Sequence, residues 1–340
     1  MNRLILCAAG GLWTLAAVAG NCLPAWEKSS VIDVAGVPRI VIDGKAIPAT
    51  AVMPSPAGKP GAAVDVLKTY HDIGIRMYSD VWTMHDKRYN PRQWWLGEGE
   101  YDFELFDAMA KGMVDASPDG FIFPRIKIDP PAKWSEAHPE EMMDALSPKP
   151  ESKAWRGLYR RMLKDMIAHV EKSSYANNVI GYQLGAFHCG EWLTGEWKKE
   201  RRAYIPSVSC KENDALPPLE VTAAARAAIS QRSRAVAEML VDAAACVKEL
   251  TEGKKLVGAF FGYILGVGRI SCHQALGKVL ACEDVDFLCS PINYKNLRAP
   301  GYDLYPMVPT ASLRHHGKLF FSENDLRTHL SPLLQLFYRL

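Results

Sequence analysis

Apolar residues recur along the chain in two rhythms that take turns. Over residues 62–73, Ala63, Val66, Leu67, Tyr70 and Ile73 fall at helical spacing, and Gly74 stands where a helix C-terminal glycine belongs. A short apolar run at 75–78 follows at once and reads as a strand. The same order returns: a helix at 105–114 before a strand at 121–128, and a strongly amphipathic helix at 155–170 before a strand at 179–187. It continues with a long Ala-rich helix at 221–250 before a strand at 256–264, and a short helix at 273–281 before a strand at 285–290. Leu313 then leads into a last strand at 319–321. That last run is apolar without alternation, which suits a strand covered on both faces, as in a parallel sheet. Ahead of these units, Ile40-Val41-Ile42 runs into Asp43-Gly44, a hairpin signal, and 47–53 reads as the first core strand.

Seven core strands, each after the first preceded by a helix or loop, imply a parallel sheet. Seven or eight such units in about 250 to 300 residues favour a closed barrel over a doubly wound sheet. No Gly-rich phosphate loop follows the first strand, which lowers a nucleotide-binding alternative. The expected fold is therefore α/β, a (β/α)8 TIM barrel, truncated after the seventh strand and helix because the chain stops at Leu340. An open wall leaves unpaired edges, so either the sequence is an incomplete gene product or residues 31–34 or 39–42 are expected to help close the gap. The organisation reads as a signal peptide at 1–19, a lead and hairpin at 20–46, and the barrel domain at 47–340. Pro148-Lys149-Pro150 is a loop within that domain.

Charge and the N-terminus narrow the classes. Arg3, an apolar segment over 4–18 and the small residues Ala17-Val18-Ala19 form a secretory signal, with cleavage expected after Ala19 and a periplasmic or secreted product. No other run approaches the roughly 18 to 20 apolar residues of a membrane span. Asn21 before Cys22 argues against a lipoprotein. With 40 basic against 38 acidic side chains and no basic block, the footprint of a nucleic-acid binder is missing, and uncharged polar substrates fit better. Of eight cysteines, Cys7 leaves with the signal, and the remaining odd number shows no zinc-ligand spacing. His315-His316 lacks a partner set, so no metal or cofactor is expected. The oligomeric state is not legible.

The chemistry lies at strand ends. Glu323 closes the seventh strand, and Glu191, after Ile180-Gly181-Tyr182, closes the fourth. In a closed barrel all strand ends face one rim, so two carboxylates far apart in sequence can meet across one cleft. Glycoside hydrolysis needs such a pair, one carboxyl protonated and one ionised, and a gap of about 5 to 5.5 Å allows direct attack with retention. Mutual repulsion and partial burial divide the roles by raising one pKa. Trp82, Trp134 and Trp192 follow the second, third and fourth strands and offer flat faces for a pyranose. Asp80, Arg125, Asp129, His188 and Tyr294 are candidates for the hydroxyls. Plainer readings stand beside these. Glu323 and Asp325 can cap a helix with Arg327 as ion-pair partner, Arg125 and Asp129 can form a buried pair, and Trp94-Trp95 can cover a loop.

Several of these stretches resemble the clan A glycoside hydrolases, and within them most closely the family 42 β-galactosidase type. They are Ile42-Asp43-Gly44-Lys45, Tyr101-Asp102-Phe103, the run from Phe123-Pro124-Arg125 to Asp129-Pro130-Pro131, Gly190-Glu191-Trp192, and Phe321-Ser322-Glu323-Asn324-Asp325. The resemblance spans about residues 38 to 330. It implies a retaining exo-glycosidase acting on an oligosaccharide or glycoside, with Glu191 as acid/base and Glu323 as nucleophile. Gly190 stands where clan members place Asn, so His188 is a candidate for that role and Glu196 an alternative acid. A non-catalytic carbohydrate-binding or scaffold protein on a degenerate barrel is the rival reading.

Overall fold

A computed structural model of the protein describes residues 23–53, 64–80, 93–144, 147–187, 189–194, 223–265, 271–292 and 305–323. The described chain opens with β1 (Ser29–Val34), β2 (Val37–Ile42) and β3 (Lys45–Ile47), an antiparallel sheet in that order. Its two turns, Ala35-Gly36 and Asp43-Gly44, have two residues each, all at positive φ. That geometry matches the twist of the flanking strands.

The barrel units follow. They begin with β4 (Ala51–Val52), α1 (Val64–Asp72) and β5 (Met77–Tyr78), then a small hairpin of β6 (Trp95–Gly97) and β7 (Glu100–Tyr101). Next come α2 (Phe103–Ala116), β8 (Phe121–Ile122), β9 (Arg125–Lys127) and α3 (Ala132–Ala137). A second small hairpin, β10 (Met142–Asp144) and β11 (Ser147–Pro148), precedes α4 (Lys153–Val170) and β12 (Gly181–Gly185). The helix Ala223–Leu250 leads to β13 (Leu256–Phe260), the helix Leu276–Leu280 to β14 (Phe287–Pro291), and the helix Thr310–His315 to β15 (Leu319–Glu323).

Strands β4, β5 and β8 pair in parallel, as do β9, β12, β13, β14 and β15. The two sheets meet where Ile122 bridges Val179 in parallel and the Gln183 N–H donates to the Pro124 carbonyl. β8 and β9 act as one strand interrupted at Pro124, which has no N–H to give. Seven parallel strands thus stand side by side in chain order, as the sequence predicts. Two expectations need correction. Residues 47–53 are not one strand: β3 belongs to the hairpin sheet and only β4 joins the wall. The described residues do not form a closed barrel, and the 31–34 and 39–42 segments do not fill the gap, since they pair with each other in the separate antiparallel sheet. That sheet instead lies against the N-terminal ends of the strands. Ser29 donates from its N–H to the Lys254 carbonyl at 2.9 Å and from its hydroxyl to the Ile180 carbonyl at 2.6 Å. Ile40 and Ile42 pack in one cluster with Met77, Leu256, Phe287 and Leu319.

Both faces of the wall are apolar, which is why the strands show so little alternation. Outward, Ile126, Tyr182, Leu184, Val257, Ala259 and Leu288 pack under the helices. α4 shows how: Ser152 caps it by accepting from the Trp155 N–H at 2.9 Å. Trp155, Leu158, Tyr159, Met162, Leu163, Met166, Ile167 and Val170 then form its buried stripe. The Trp155 indole donates to the Ile128 carbonyl at 2.7 Å, tying the helix to the third strand. Inward, Phe123, Leu256, Phe260, Phe287, Cys289, Leu319 and Phe321 fill the space inside the wall.

Candidate active site

Along the strands the interior changes from apolar to polar toward the C-terminal ends. Leu256, Phe287 and Leu319 lie at the N-terminal side. Further along, Gln183 donates to Cys289 Sγ at 3.1 Å and accepts from the Ser79 hydroxyl at 3.1 Å. Beyond them Arg125, nearly fully buried, lays its guanidinium 4.2 Å from the centre of the Phe260 ring, a cation–π contact. Glu323 ends β15 opposite Pro291. It lies two residues beyond the inward-facing Phe321, so pleating directs it to the same face.

Glu191 sits in a tight loop after β12. Phe187, Cys189, Gly190 and Trp192 all have φ between 55° and 68°. Non-glycine residues in this left-handed region are strained and persist only where surroundings hold them. Here the surroundings do so at several points. The Phe187 N–H donates to both Asp129 oxygens at 2.9 and 3.0 Å, and Arg125 donates to the Cys189 carbonyl at 2.8 Å. The Trp192 N–H returns to the Ala186 carbonyl at 2.9 Å. The loop folds so closely over the strand that a Cβ on Gly185 would meet the Gly190 carbonyl oxygen at 2.7 Å. Gly190, at φ +68°, takes the left-handed turn without the strain an Asn side chain would bring there. Arg125 also faces the Glu191 carboxylate at 3.8 Å.

Two groups missed by the sequence reading complete the arrangement. Tyr263, just past β13, is fully buried and its hydroxyl has no hydrogen-bond partner among the described residues. Burial, joined by the charges of Glu191 and Glu323, pushes this phenol well above its usual pKa, against the pull of Arg125. Both glutamates therefore lie within electrostatic reach of Tyr263. Cys289 senses the same neighbourhood: burial raises its thiol, Arg125 opposes and Glu323 adds to the rise. His273, also fully buried, accepts at Nδ1 from the N–H groups of Gly262 and Tyr263 and reaches the Trp192 carbonyl through Nε2. The sequence places Tyr263 inside a strand read over 256–264, which the structure ends at Phe260, and so marks neither it nor His273.

The other expected site residues divide. Asp80 is buried at the end of the second strand, its carbonyl accepting from the Arg125 N–H at 2.7 Å. Arg125 and Asp129 do not pair as the plainer reading had it: Arg125 faces Glu191, and Lys127 meets Asp129 at 3.4 Å. Trp192 is a correction. It is fully buried, donates from its indole to the Leu184 carbonyl at 3.0 Å and packs edge-on to Phe187, so it presents no face to a sugar. Trp134, on α3, is 7% exposed and stacks on His138 with ring centres 4.4 Å apart, so one face is already covered. Trp94 and Trp95, read as cover for a loop, are fully buried in the main core. Trp82, His188, Tyr294, Glu196, Asn324, Asp325 and Arg327 lie outside the described residues, as does the 1–19 signal segment. No helix among the described residues is long and apolar enough to cross a membrane.

No protein-family model and no curated protein matches the sequence. Solved structures do. The catalytic domain of β-amylase from Paenibacillus polymyxa aligns with a TM-score of 0.54 at 12% identity, over 82% of this chain and 86% of that one. A β-galactosidase from the psychrophilic Marinomonas ef1 aligns with a TM-score of 0.44 at 17% identity, over 70% of this chain. This chain spans 40% of that β-galactosidase's length. The likeness to the β-amylase domain, together with seven sequential parallel strands among the described residues, gives the fold as that of a TIM barrel, with the wall not closed among the described residues.

Proposed function

We propose that the protein is a retaining glycoside hydrolase that cleaves terminal β-glycosidic bonds, with Glu323 as nucleophile and Glu191 as acid/base. What supports this reading is that Glu323, at the end of the seventh strand, and Glu191, in the loop after the fourth and facing Arg125 at 3.8 Å, both lie close enough for their charges to reach buried Tyr263. In the first step a Glu323 oxygen bonds to the anomeric carbon. The glycosidic C–O bond breaks, and Glu191 gives its proton to the departing oxygen. In the second step Glu191 takes a proton from water, whose oxygen displaces Glu323 and restores the original configuration. Arg125, held against the Glu191 loop, orients that carboxyl and stabilises its ionised form after proton donation. A β-galactoside leads the list of substrates on the motif resemblance, and secretion after cleavage at Ala19 belongs to the same proposal.

The test is turnover of aryl β-glycosides, β-galactosides first, by the wild type and by Glu191→Gln and Glu323→Gln. The Glu323 variant should lose turnover altogether. The Glu191 variant should fall by about 10²- to 10⁴-fold, the usual worth of a general acid, and recover on activated substrates when azide is added. Undiminished activity in Glu323→Gln refutes the nucleophile assignment, and sugar binding without hydrolysis by the wild type refutes the enzyme reading.

A further inference from the structure

We propose that His273 is a positioning residue for the acid/base step, its Nε2–H holding the Trp192 carbonyl, one residue past Glu191, against the end of the fifth barrel strand. The inference rests on the glycosidase reading above. Its basis is a hydrogen-bond pattern that permits one tautomer. Nδ1 accepts from two backbone donors, Gly262 and Tyr263, each at 3.1 Å, and so carries no proton. The single ring proton is then on Nε2, which faces the Trp192 carbonyl at 3.3 Å. One imidazole therefore joins the backbone at Gly262-Tyr263 to the backbone at Trp192, two segments from different strands.

The ring has little freedom to do anything else. It is fully buried, lies 4.0 Å from the Phe261 ring centre and 5.2 Å from that of Tyr263, and the backbone N–H of His273 donates to the Ser271 hydroxyl. Ser271 in turn donates to the Tyr263 carbonyl at 3.2 Å, and Cys272 between them holds a left-handed φ of 56°. Burial keeps the imidazole neutral, its pKa pushed down to about 3. The strained loop it meets is the one that must hold the acid carboxyl still while a leaving group departs.

The experiment separates the two ends of the ring. His273→Asn keeps an acceptor near the Nδ1 position and removes the Nε2–H, while His273→Gln restores an amide N–H near the Nε2 position. A positioning role predicts that His273→Asn slows alkyl β-glycosides, which need the acid, by about tenfold or more, a fraction of the acid's full worth. Dinitrophenyl β-glycosides, which leave without it, should change by less than about twofold, and His273→Gln should recover part of the loss. Equal losses on both substrate types would mark a purely structural residue and overturn the proposal.

Two readouts stand apart from activity. Amide hydrogen exchange over 189–194 should quicken in His273→Asn with the rest of the barrel unchanged. The ¹⁵N spectrum of wild-type His273 should show the neutral Nε2–H tautomer; the Nδ1–H form overturns the proposal even if the variants fail to fold. If the wild type hydrolyses no glycoside while tautomer and exchange behave as stated, the glycosidase reading fails and the tie to the Trp192 carbonyl stands. If the wild type is active and neither exchange nor leaving-group dependence moves, the positioning role alone fails.

Discussion

Acid should destabilise this protein through His273 in a way that one substitution removes. The imidazole is fully buried and its folded-state pKa is pushed down to about 3, because burial disfavours the cation more than the carbonyls of Trp192 and Glu191 favour it. In the unfolded chain the same ring titrates near 6.5, as an ordinary histidine does. Between those values the unfolded state binds a proton that the folded state does not, so stability rises with pH across the window. The full contribution is present above about pH 6.5 and is lost progressively as pH falls toward 3. From pH 8 to pH 5 the linkage comes to about 2 kcal/mol, and it levels off near 4 to 5 kcal/mol below pH 3. Urea unfolding of wild type and His273→Asn at pH 8 and pH 5 measures it, because the other eight of the nine histidines cancel in the difference. The wild type should lose about 2 kcal/mol more than the variant over that interval. Parallel losses would mean that the ring is solvated or already charged in the fold, and would refute the burial argument and the tautomer that follows from it.

Two further predictions test the supports of the site and of the barrel. Gly190→Ala should cost about 1 kcal/mol by forcing a Cβ onto a residue at φ +68°, and should lower glycoside turnover more than it lowers stability, since the strain falls beside Glu191; thermal unfolding and kcat/KM together read this. Asp242→Asn should cost about 1 to 3 kcal/mol in denaturant titrations at pH 7, because the carboxylate accepts from Tyr159 and Arg160 and pairs with Arg156 at 3.7 Å. Burial alone would raise the Asp242 pKa, but the bonds from Arg160 and Tyr159 and the nearby positive charges hold it below the usual carboxylate value. Its contribution is therefore present at neutral pH and lost in acid, so the gap between variant and wild type should narrow at pH 3.

The order of helices and strands was legible because each wall strand is covered on both faces and follows an amphipathic or Ala-rich helix, as α4 and β12 show. What escaped the sequence reading was local. The 47–53 run mixes two strands whose partners lie in different sheets, and no periodicity separates Ile47 from Ala51. α3 is only six residues long, too short for a repeating stripe, so Trp134 read as a rim residue when the helix packs it on His138. Trp192 was misplaced for a different reason. Left-handed φ angles at Cys189 and Trp192 turn the chain back on itself, and such angles at non-glycine residues leave no mark in composition. His273 read as the first residue of a helix, yet the helix starts at Leu276 and the ring belongs to the turn before it. Glu323 ends its strand as the sequence predicts, whereas Glu191 lies in the loop six residues past the end of β12; the residues around that loop were not legible, because their roles depend on contacts between strands far apart in the chain.

Those contacts share one property. A glutamate that gives and retakes a proton in each turnover needs neighbours whose own charge does not change near neutral pH, or the two titrations would couple. His273 is held neutral by burial, and Tyr263 and Cys289 are pushed upward and so keep their protons. His273, Tyr263 and Cys289 are thus each fixed in the uncharged state, and burial is the main cause in all three. On the proposed mechanism that leaves Glu191 to exchange protons with substrate and water while Glu323 stays ionised to attack, the condition under which a pair of identical side chains can take opposite roles.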